Sequence, residues 1–522
     1  MENNEMTTES GIILDRRQIL GGASAVGLAA MLGAGPAQAA ETPKKGGALR
    51  LGMEGGSASD SLDPRTYADS IPIAYSLMFW NTLVEVGTDG KATPELAESW
   101  ETKPGATEWI VNVRKNIKFG SGKTLDADDV IYSINLHRGE TKSPAKGILE
   151  PITEIKKLSA NQIQITLKTG NADFPFILSD YHLIIVPKDT TDFSKPDGTG
   201  AFTLAEWQPG VRIVAKRKPG NYWKPGRGNF DSVEIKYIGD AAARTQALVT
   251  GQVDAVNRLD PKTVGLLSKN KNIKISRTKG TGNRFAFVAL VDGAPYNNKD
   301  VMLGLKYGID RQKIVDNVFS GFATVGKDHT IGPANEFHDH SLKAKAYDPD
   351  KAKFHFKKAG MSGPFELQVS EGAYTGATDS GVIFQESLKK AGADLQVKRV
   401  SGDGYWDNVW LKAPFCAVYW GNRPTADLQL SQTFMSNAAW NDTHYKSAKF
   451  DKLVTDARVE INPAKRKQMY ADAQRMVADE AGMVCFAIGD QMDGGSTKLR
   501  GLEPHARYDM NDQRLAEKGW FA

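Results

Sequence analysis

Asp240-Ala241-Ala242-Ala243-Arg244-Thr245-Gln246-Ala247-Leu248-Val249-Thr250-Gly251-Gln252-Val253-Asp254-Ala255-Val256 reads as one folding unit. Asp240 is a good N-cap, since its carboxylate takes an amide proton that the first helical turn leaves free. The helix runs over residues 241–250. Gly251 suits the left-handed position that ends a helix, and residues 253–256 then form a strand. A helix delivered directly into a strand is the building block of α/β lobes.

The same grammar recurs outward from this unit. Ala48-Leu49-Arg50-Leu51-Gly52 reads as a first strand, closed off by Ser61-Leu62-Asp63-Pro64, and residues 73–80 carry apolar side chains at helical spacing. Thr88-Asp89-Gly90 is a hairpin-type turn. Trp109-Ile110-Val111-Asn112-Val113-Arg114 alternates like a half-buried strand. Asp126 caps a helix with Val130, Ile131 and Ile134 on one side. Asn298 opens a helix reaching Tyr307, and Asn462-Pro463 opens the last long one. There Met469, Ala473, Met476 and Val477 form a core stripe. No repeat period appears.

The chain has 522 residues, enough for two or three ordinary domains. Its hydrophobic share of 40% and charged share of 25% suit a globular protein with real cores. The net charge is +4, with both signs interspersed and no basic tract, so nucleic acid is not the expected partner. Cys416 and Cys485 lie in apolar, strand-like runs; a disulfide and two buried thiols are both open readings.

The N-terminus reads as an address. Arg16-Arg17 precedes a charge-free, glycine- and alanine-rich stretch to Gly35, followed by Pro36-Ala37-Gln38-Ala39. That order of basic region, apolar region and small-residue cleavage site is an export signal, and the adjacent arginines resemble the twin-arginine type. Residues 1–39 are expected to be removed near Ala39/Ala40, leaving a periplasmic, soluble chain. The apolar run is short and glycine-rich for a bilayer core of roughly 30 Å.

Motifs for chemistry are mostly deceptive. Gly120-Ser121-Gly122-Lys123-Thr124 looks like the end of a phosphate-binding loop, but Ile117 stands where that loop needs glycine. His329, His338 and His340 share a loop without a third ligand at a reliable spacing, and a solvated loop is expected rather than a metal site. Neither a nucleophile elbow nor a His-Glu-x-x-His motif is present. No cofactor and no metal are expected. Tyr405, Trp406, Trp410, Trp420 and Trp440 supply rigid aromatic surface with indole N–H groups, as core or as the wall of a ligand cleft.

Several stretches together resemble the peptide- and nickel-type family of extracellular solute-binding proteins. Pro94-Glu95-Leu96-Ala97-Glu98-Ser99-Trp100 is the most specific; Gly198-Thr199-Gly200-Ala201-Phe202, Trp207-Gln208-Pro209-Gly210, Asn221-Tyr222-Trp223, Gly308-Ile309-Asp310-Arg311 and Tyr347-Asp348-Pro349 extend the match over nearly all of the chain after residue 39. The resemblance implies an α/β, two-lobed periplasmic-binding-protein fold of the large, three-subdomain type II variety, hinged between lobes. The main subdomain of lobe I would take residues 40–80, 188–284 and 488–522, its extra subdomain 81–187, and lobe II 285–487. It also implies a receptor that hands a small organic solute, an oligopeptide, dipeptide or amino-acid-derived compound, to the membrane permease of an ABC importer. The receptor would act as a monomer, by hinge closure, without catalysis.

Trp406 and Trp420 match cleft aromatics of the family, with Tyr405 beside them. In peptide-binding members an acidic residue follows the strand that ends in Trp; here Asn422 or Arg423 falls near that position, and Asp427 lies further on. A family arginine is matched near Ser370-Glu371. The clamp on a peptide's two termini is therefore altered, with Arg423 a candidate for a ligand carboxylate and Glu371 or Asp427 for an amine. The competing reading is an exported hydrolase or peptidase, separated from the first by whether a bound solute is returned intact.

Overall fold

Side-chain caps set where the helices start. In the computed structural model, which describes residues 41–522 apart from 68, 403, 404 and 424, Asp126 accepts from the amides of Asp128 and Asp129 at 2.9 and 3.3 Å. The Asp129 carboxylate in turn accepts from the Asp126 amide at 3.0 Å. This reciprocal cap opens the helix Ala127–Asn135. Asp240, Asn298 and Asn462 cap Ala241–Val249, Lys299–Gly308 and Pro463–Glu480 through their own side-chain oxygens, without the return bond. Each such cap is worth about 1 kcal/mol. The strand after Gly251 is shorter than its sequence suggests, only Ala255–Val256. The amides of Gln252 and Val253 return to the Ala247 carbonyl at 2.9 and 3.2 Å, closing the helix end instead of joining the ladder.

The strands gather into three large sheets. A seven-stranded sheet is centred on Ala48–Met53, which pairs in parallel with Ser232–Tyr237 on one side and Ala255–Val256 on the other. A six-stranded sheet has Arg284–Ala289 between Met483–Gly489 and Phe415–Trp420, both antiparallel to it. A four-stranded antiparallel sheet is made of Ala97–Thr102, Glu108–Val113, Gln162–Leu167 and Ile152–Ser159. Each has its own buried core. In the six-stranded lobe Phe287 stacks on Phe384 with centroids 5.5 Å apart, a pair worth about 1 kcal/mol beyond its burial. The architecture is a two-lobed α/β fold.

The four-stranded unit is fastened to the first lobe by a buried charge cluster. Glu95 accepts from Arg514 at 2.7 and 2.9 Å and from Lys224 at 2.6 Å. Lys224 also holds Glu85 at 2.9 Å and Glu517 at 2.7 Å, and Lys518 holds Glu85 at 2.9 Å. Burial alone would raise the Glu95 carboxyl, but Arg514 and Lys224 outweigh it and hold the group below its ordinary range. Three carboxylates, Glu85, Glu95 and Glu517, meet here, and the chain's own cations already answer them.

Cys416 and Cys485 are free and buried. They lie on strands that flank Arg284–Ala289 on opposite sides, with Cys416 opposite Val288 and Cys485 opposite Ala286. Among the described residues no helix is long and apolar enough to cross a membrane. The expected export signal, residues 1–39, lies outside the described residues.

Candidate functional site

Two chain segments cross between the lobes. Ile273–Thr278 ends in the seven-stranded sheet and Arg284–Ala289 begins in the six-stranded one; Met483–Gly489 leaves the second for Gln491–Ser496 in the first. Gly280, at φ +64°, sits where an added Cβ would lie 2.4 Å from Pro333, so only glycine fits the turn. The Asp490 carboxylate joins the two crossings, accepting from the Gly280 amide at 2.9 Å and from Arg277 Nε at 2.5 Å. Gly282 and Gly489 add a backbone bond of 2.8 Å.

Strand alternation then sends neighbouring side chains to two different cavities. Phe285 lies opposite Tyr419, and Arg284 opposite Trp420. Phe285 and Tyr419 face an open crevice of about 640 Å³ between the lobes. Its other walls include Phe319, Tyr181, Ile73 and Tyr508. Its charges are internally matched: Arg258 holds Asp69 at 2.9 Å, Asp509 at 3.2 Å and Glu54 at 3.2 Å. Tyr508 and Asp509 are placed by a left-handed turn, Met510 to Gln513, with φ between +52° and +63° at four non-glycine residues. Each costs roughly 1–2 kcal/mol. The turn is held by Asp493 on the Met510 amide at 2.7 Å and by Asn511 on the Gly501 carbonyl at 2.7 Å.

Arg284 instead faces a narrow chamber of about 40 Å³, closed by Phe176 and Ser179 of the four-stranded unit, Phe337 and Asn422 of the second lobe, and Arg507. Its guanidinium donates to Thr330 O at 2.7 Å, Gly282 O at 2.8 Å and Asn422 Oδ1 at 2.7 Å. Burial, with a smaller contribution from the nearby Arg423 charge, depresses Arg284 to about 10. Arg423 shares the chamber. It donates from Nε to Gln432 at 2.6 Å and stands 5.8 Å over the Trp420 ring.

The other residues expected from the sequence have separate fates. Trp420 is 4% exposed, and its indole donates to Asp442 Oδ2 at 2.9 Å, as Trp410 does at 3.1 Å. Burial pushes the Asp442 carboxyl up to about 7. Trp420 therefore backs the chamber through Arg423 and is absent from both cavity walls. Trp406 is 36% exposed and packs edge-on against Tyr419 at 5.5 Å, but it is itself absent from both cavity walls. Tyr405 is buried, its hydroxyl donating to Ala417 O at 2.7 Å. Asp427 is held by Arg458 Nε, 3.0 Å from each of its oxygens. Glu371 accepts from the amides of Gly376 at 2.7 Å and Thr378 at 3.1 Å, pinning the start of the helix Ala377–Lys390. Neither carboxylate lines either cavity. Both have local partners that are absent from any reading of charge along the sequence.

Two motifs resolve into structure. Lys123, in the run that mimics a phosphate loop, is engaged by Asp129 at 2.5 and 2.6 Å. In the histidine loop, His329 and His338 are buried, contrary to the solvated loop the sequence suggests. The Ile331 amide donates to His329 at 3.1 Å, and His338 bonds the Ile331 carbonyl at 2.9 Å and Lys327 Nζ at 3.1 Å. A lysine ammonium stands where a metal would need the ring nitrogen. Arg284, Phe285 and Tyr419 were not singled out by the sequence. The signal available for them is the turn Gly280-Thr281-Gly282-Asn283 before an apolar strand.

The chain is similar to several known proteins. The glutathione-binding protein GsiB of Escherichia coli K12 is 25% identical over 485 residues, covering 88% of this chain and 93% of that protein. The periplasmic binding protein DppA of Helicobacter pylori, solved with the peptide STSA, superposes with a TM-score of 0.70 at 23% identity, covering 92% of this chain and 98% of its own. HbpA2 of Haemophilus parasuis superposes with a TM-score of 0.80 at 19% identity, over 91% of this chain and 100% of that one. The model of the middle region of the bacterial extracellular solute-binding proteins, family 5, matches residues 91–442. With two lobes joined by crossing strands around an aromatic crevice, the chain belongs to that family of solute-binding proteins.

Proposed function

We propose that this chain is the exported, periplasmic receptor of an ABC importer, closing over a small organic solute and catalysing nothing. The observation that carries this reading is the interlobe crevice, bounded by Phe285 and Tyr419 on one lobe and by Ile73 and Tyr508 on the other, directly beside the Asp490-clasped crossings. Lobe I comprises residues 40–80, 188–284 and 488–522 with the extra subdomain 81–187, and lobe II comprises 285–487. Rotation about the crossings swings Phe285 and Tyr419 toward Ile73 and Tyr508. That movement expels water and strengthens the few polar contacts made to the solute.

Trp406 extends the aromatic wall through Tyr419, while Asn422 and Arg423 supply polar contacts in the adjoining chamber. The names of the relatives, a glutathione-binding protein and a peptide complex, support a short peptide or amino-acid-derived solute. Residues 1–39 act as a twin-arginine export signal cleaved at Ala39/Ala40. The mature receptor is a monomer that docks on the permease subunits of the importer.

The test is mass spectrometry of solute carried through purification of the native protein, followed by thermal unfolding with that solute added back. A receptor gains RT ln(1 + [L]/Kd), about 2.7 kcal/mol at a hundredfold excess over Kd, and returns the solute unchanged. Turnover of the recovered compound overturns the reading.

A further inference from the structure

Five arginines are buried among the described residues: Arg244, Arg284, Arg311, Arg466 and Arg514. Four of them hold a carboxylate at close range: Glu54 at 2.9 Å, Asp328 at 2.7 Å, Asp173 at 2.6 Å and Glu95 at 2.7 Å. Arg284, 2% exposed, differs from the rest. Its partners are two backbone carbonyls and the Asn422 amide, all neutral. Arg423, on the same chamber wall, has the Gln432 amide and the Gly421 carbonyl. Among the described residues, neither arginine has a carboxylate within ion-pair range, and the two charges repel one another.

The third arginine of the chamber shows that the pattern is local. Arg507 is neutralised by both oxygens of Asp512, each at 2.7 Å. Two carboxylates also line the chamber: Asp173, held by Arg466 at 2.6 Å, and Glu336, whose charged neighbours are Asp173, Arg466, Lys91 and Asp89; neither pairs with Arg284 or Arg423. A fold that pairs its other buried guanidiniums with acids leaves two together, unpaired, where the lobes meet.

We propose that the solute carries a free carboxylate, which docks in the narrow chamber against the guanidinium groups of Arg284 and Arg423. The chamber's volume of about 40 Å³ is room for a few water molecules, the scale of a carboxylate rather than of a whole solute. The body of the solute then lies in the larger crevice. Arg423 offers the planar fork that suits a carboxylate, since its Nη2 has no partner among the described residues. Arg284 supplies charge from behind, with Asn422 holding its orientation. This assignment rests on the receptor reading above and specifies the chemistry of the same site.

Acetate and succinate are the probes, with acetamide and sodium chloride of matched ionic strength as controls. Trp420 lies under Arg423, so indole fluorescence and thermal unfolding both report occupancy. The carboxylates are expected to give a saturable fluorescence change and a melting shift that acetamide and chloride lack. Arg423→Gln should weaken both responses roughly thirtyfold or more, as loss of one partner of a buried charge pair does, with the melting point of the unliganded protein unchanged. Arg423→Lys should restore only part of the response, because the charge returns without the fork. Equal responses to acetate and acetamide, or an undiminished response in folded Arg423→Gln, overturn the assignment. A co-purified solute that is returned intact but lacks a carboxylate overturns it while leaving the receptor reading standing. A recovered carboxylate that is turned over does the reverse.

Discussion

The cluster around Glu95 and the chamber around Arg284 are built from similar groups under similar burial, and they end in opposite states. At Glu95, three glutamates meet Lys224, Arg227, Arg514 and Lys518, and nearly every charge touches an opposite one. At Arg284, two cations stand together with neutral partners only. The first arrangement is complete and rigid, and it joins the four-stranded unit to its lobe. The second is incomplete, and it lies where the lobes separate. Burial of charge alone therefore does not separate the two regions; the missing countercharge does, and it is what the proposed carboxylate site rests on.

Four substitutions would break or sharpen that contrast. The largest effect should come from Arg514→Met. It strands Glu95 and Glu517 in the interior, and removing one member of a buried ion cluster costs about 3–5 kcal/mol. Denaturant unfolding reads this loss, while ligand affinity of the folded fraction stays put. A variant that lost affinity but kept its stability would erase the contrast. Next comes Trp420→Ala, which empties a packed site and leaves Asp442 with one indole donor; about 3 kcal/mol of stability should go. A smaller change follows from Asp442→Asn. The folded carboxyl titrates near 7 and the unfolded one near 3.9. The folded state thus keeps a proton that the unfolded state has released, so this group's stabilisation is full below about pH 4 and is lost as pH rises through 7. Unfolding midpoints at pH 5 and 8 should converge in the asparagine variant relative to the wild type. Unchanged pH dependence would show that Asp442 is ionised throughout. Smallest in stability is Trp406→Ala, within about 0.5 kcal/mol of wild type, yet with severalfold weaker solute binding by calorimetry. Undiminished binding would remove Trp406 from the crevice rim.

The fold was legible because its signals are local. Asp126, Asp240, Asn298 and Asn462 each cap the helix that follows them, and a cap needs only the next three residues. The candidate site was legible only in part. Asn422 and Arg423 follow a strand that ends in Trp, and the structure places them on the wall of the chamber. Which face of that strand lines the crevice is a matter of parity, and a shift of one residue exchanges the faces. That is why Trp420 drew notice and Tyr419, on the crevice side, did not. Arg284 was hidden because its partners, Thr330 and Asn422, lie far along the chain. Glu371 and Asp427 looked like ligand groups for the converse reason: their partners, a helix start and Arg458, become visible only in three dimensions. The most specific stretch, Pro94 to Trp100, places Glu95 in the completed cluster, so its job is architectural.

Asp490 has a mechanical consequence. Its carboxylate, with the Gly282–Gly489 backbone bond beside it, pins both crossings like a rivet, so that relative motion of the sheets would be a turn near residues 280 and 490 rather than a slide. Motion with one free axis converts a push at the crevice into an angle at the outer surface. A membrane complex would then read occupancy as tilt, needing no contact with the solute itself.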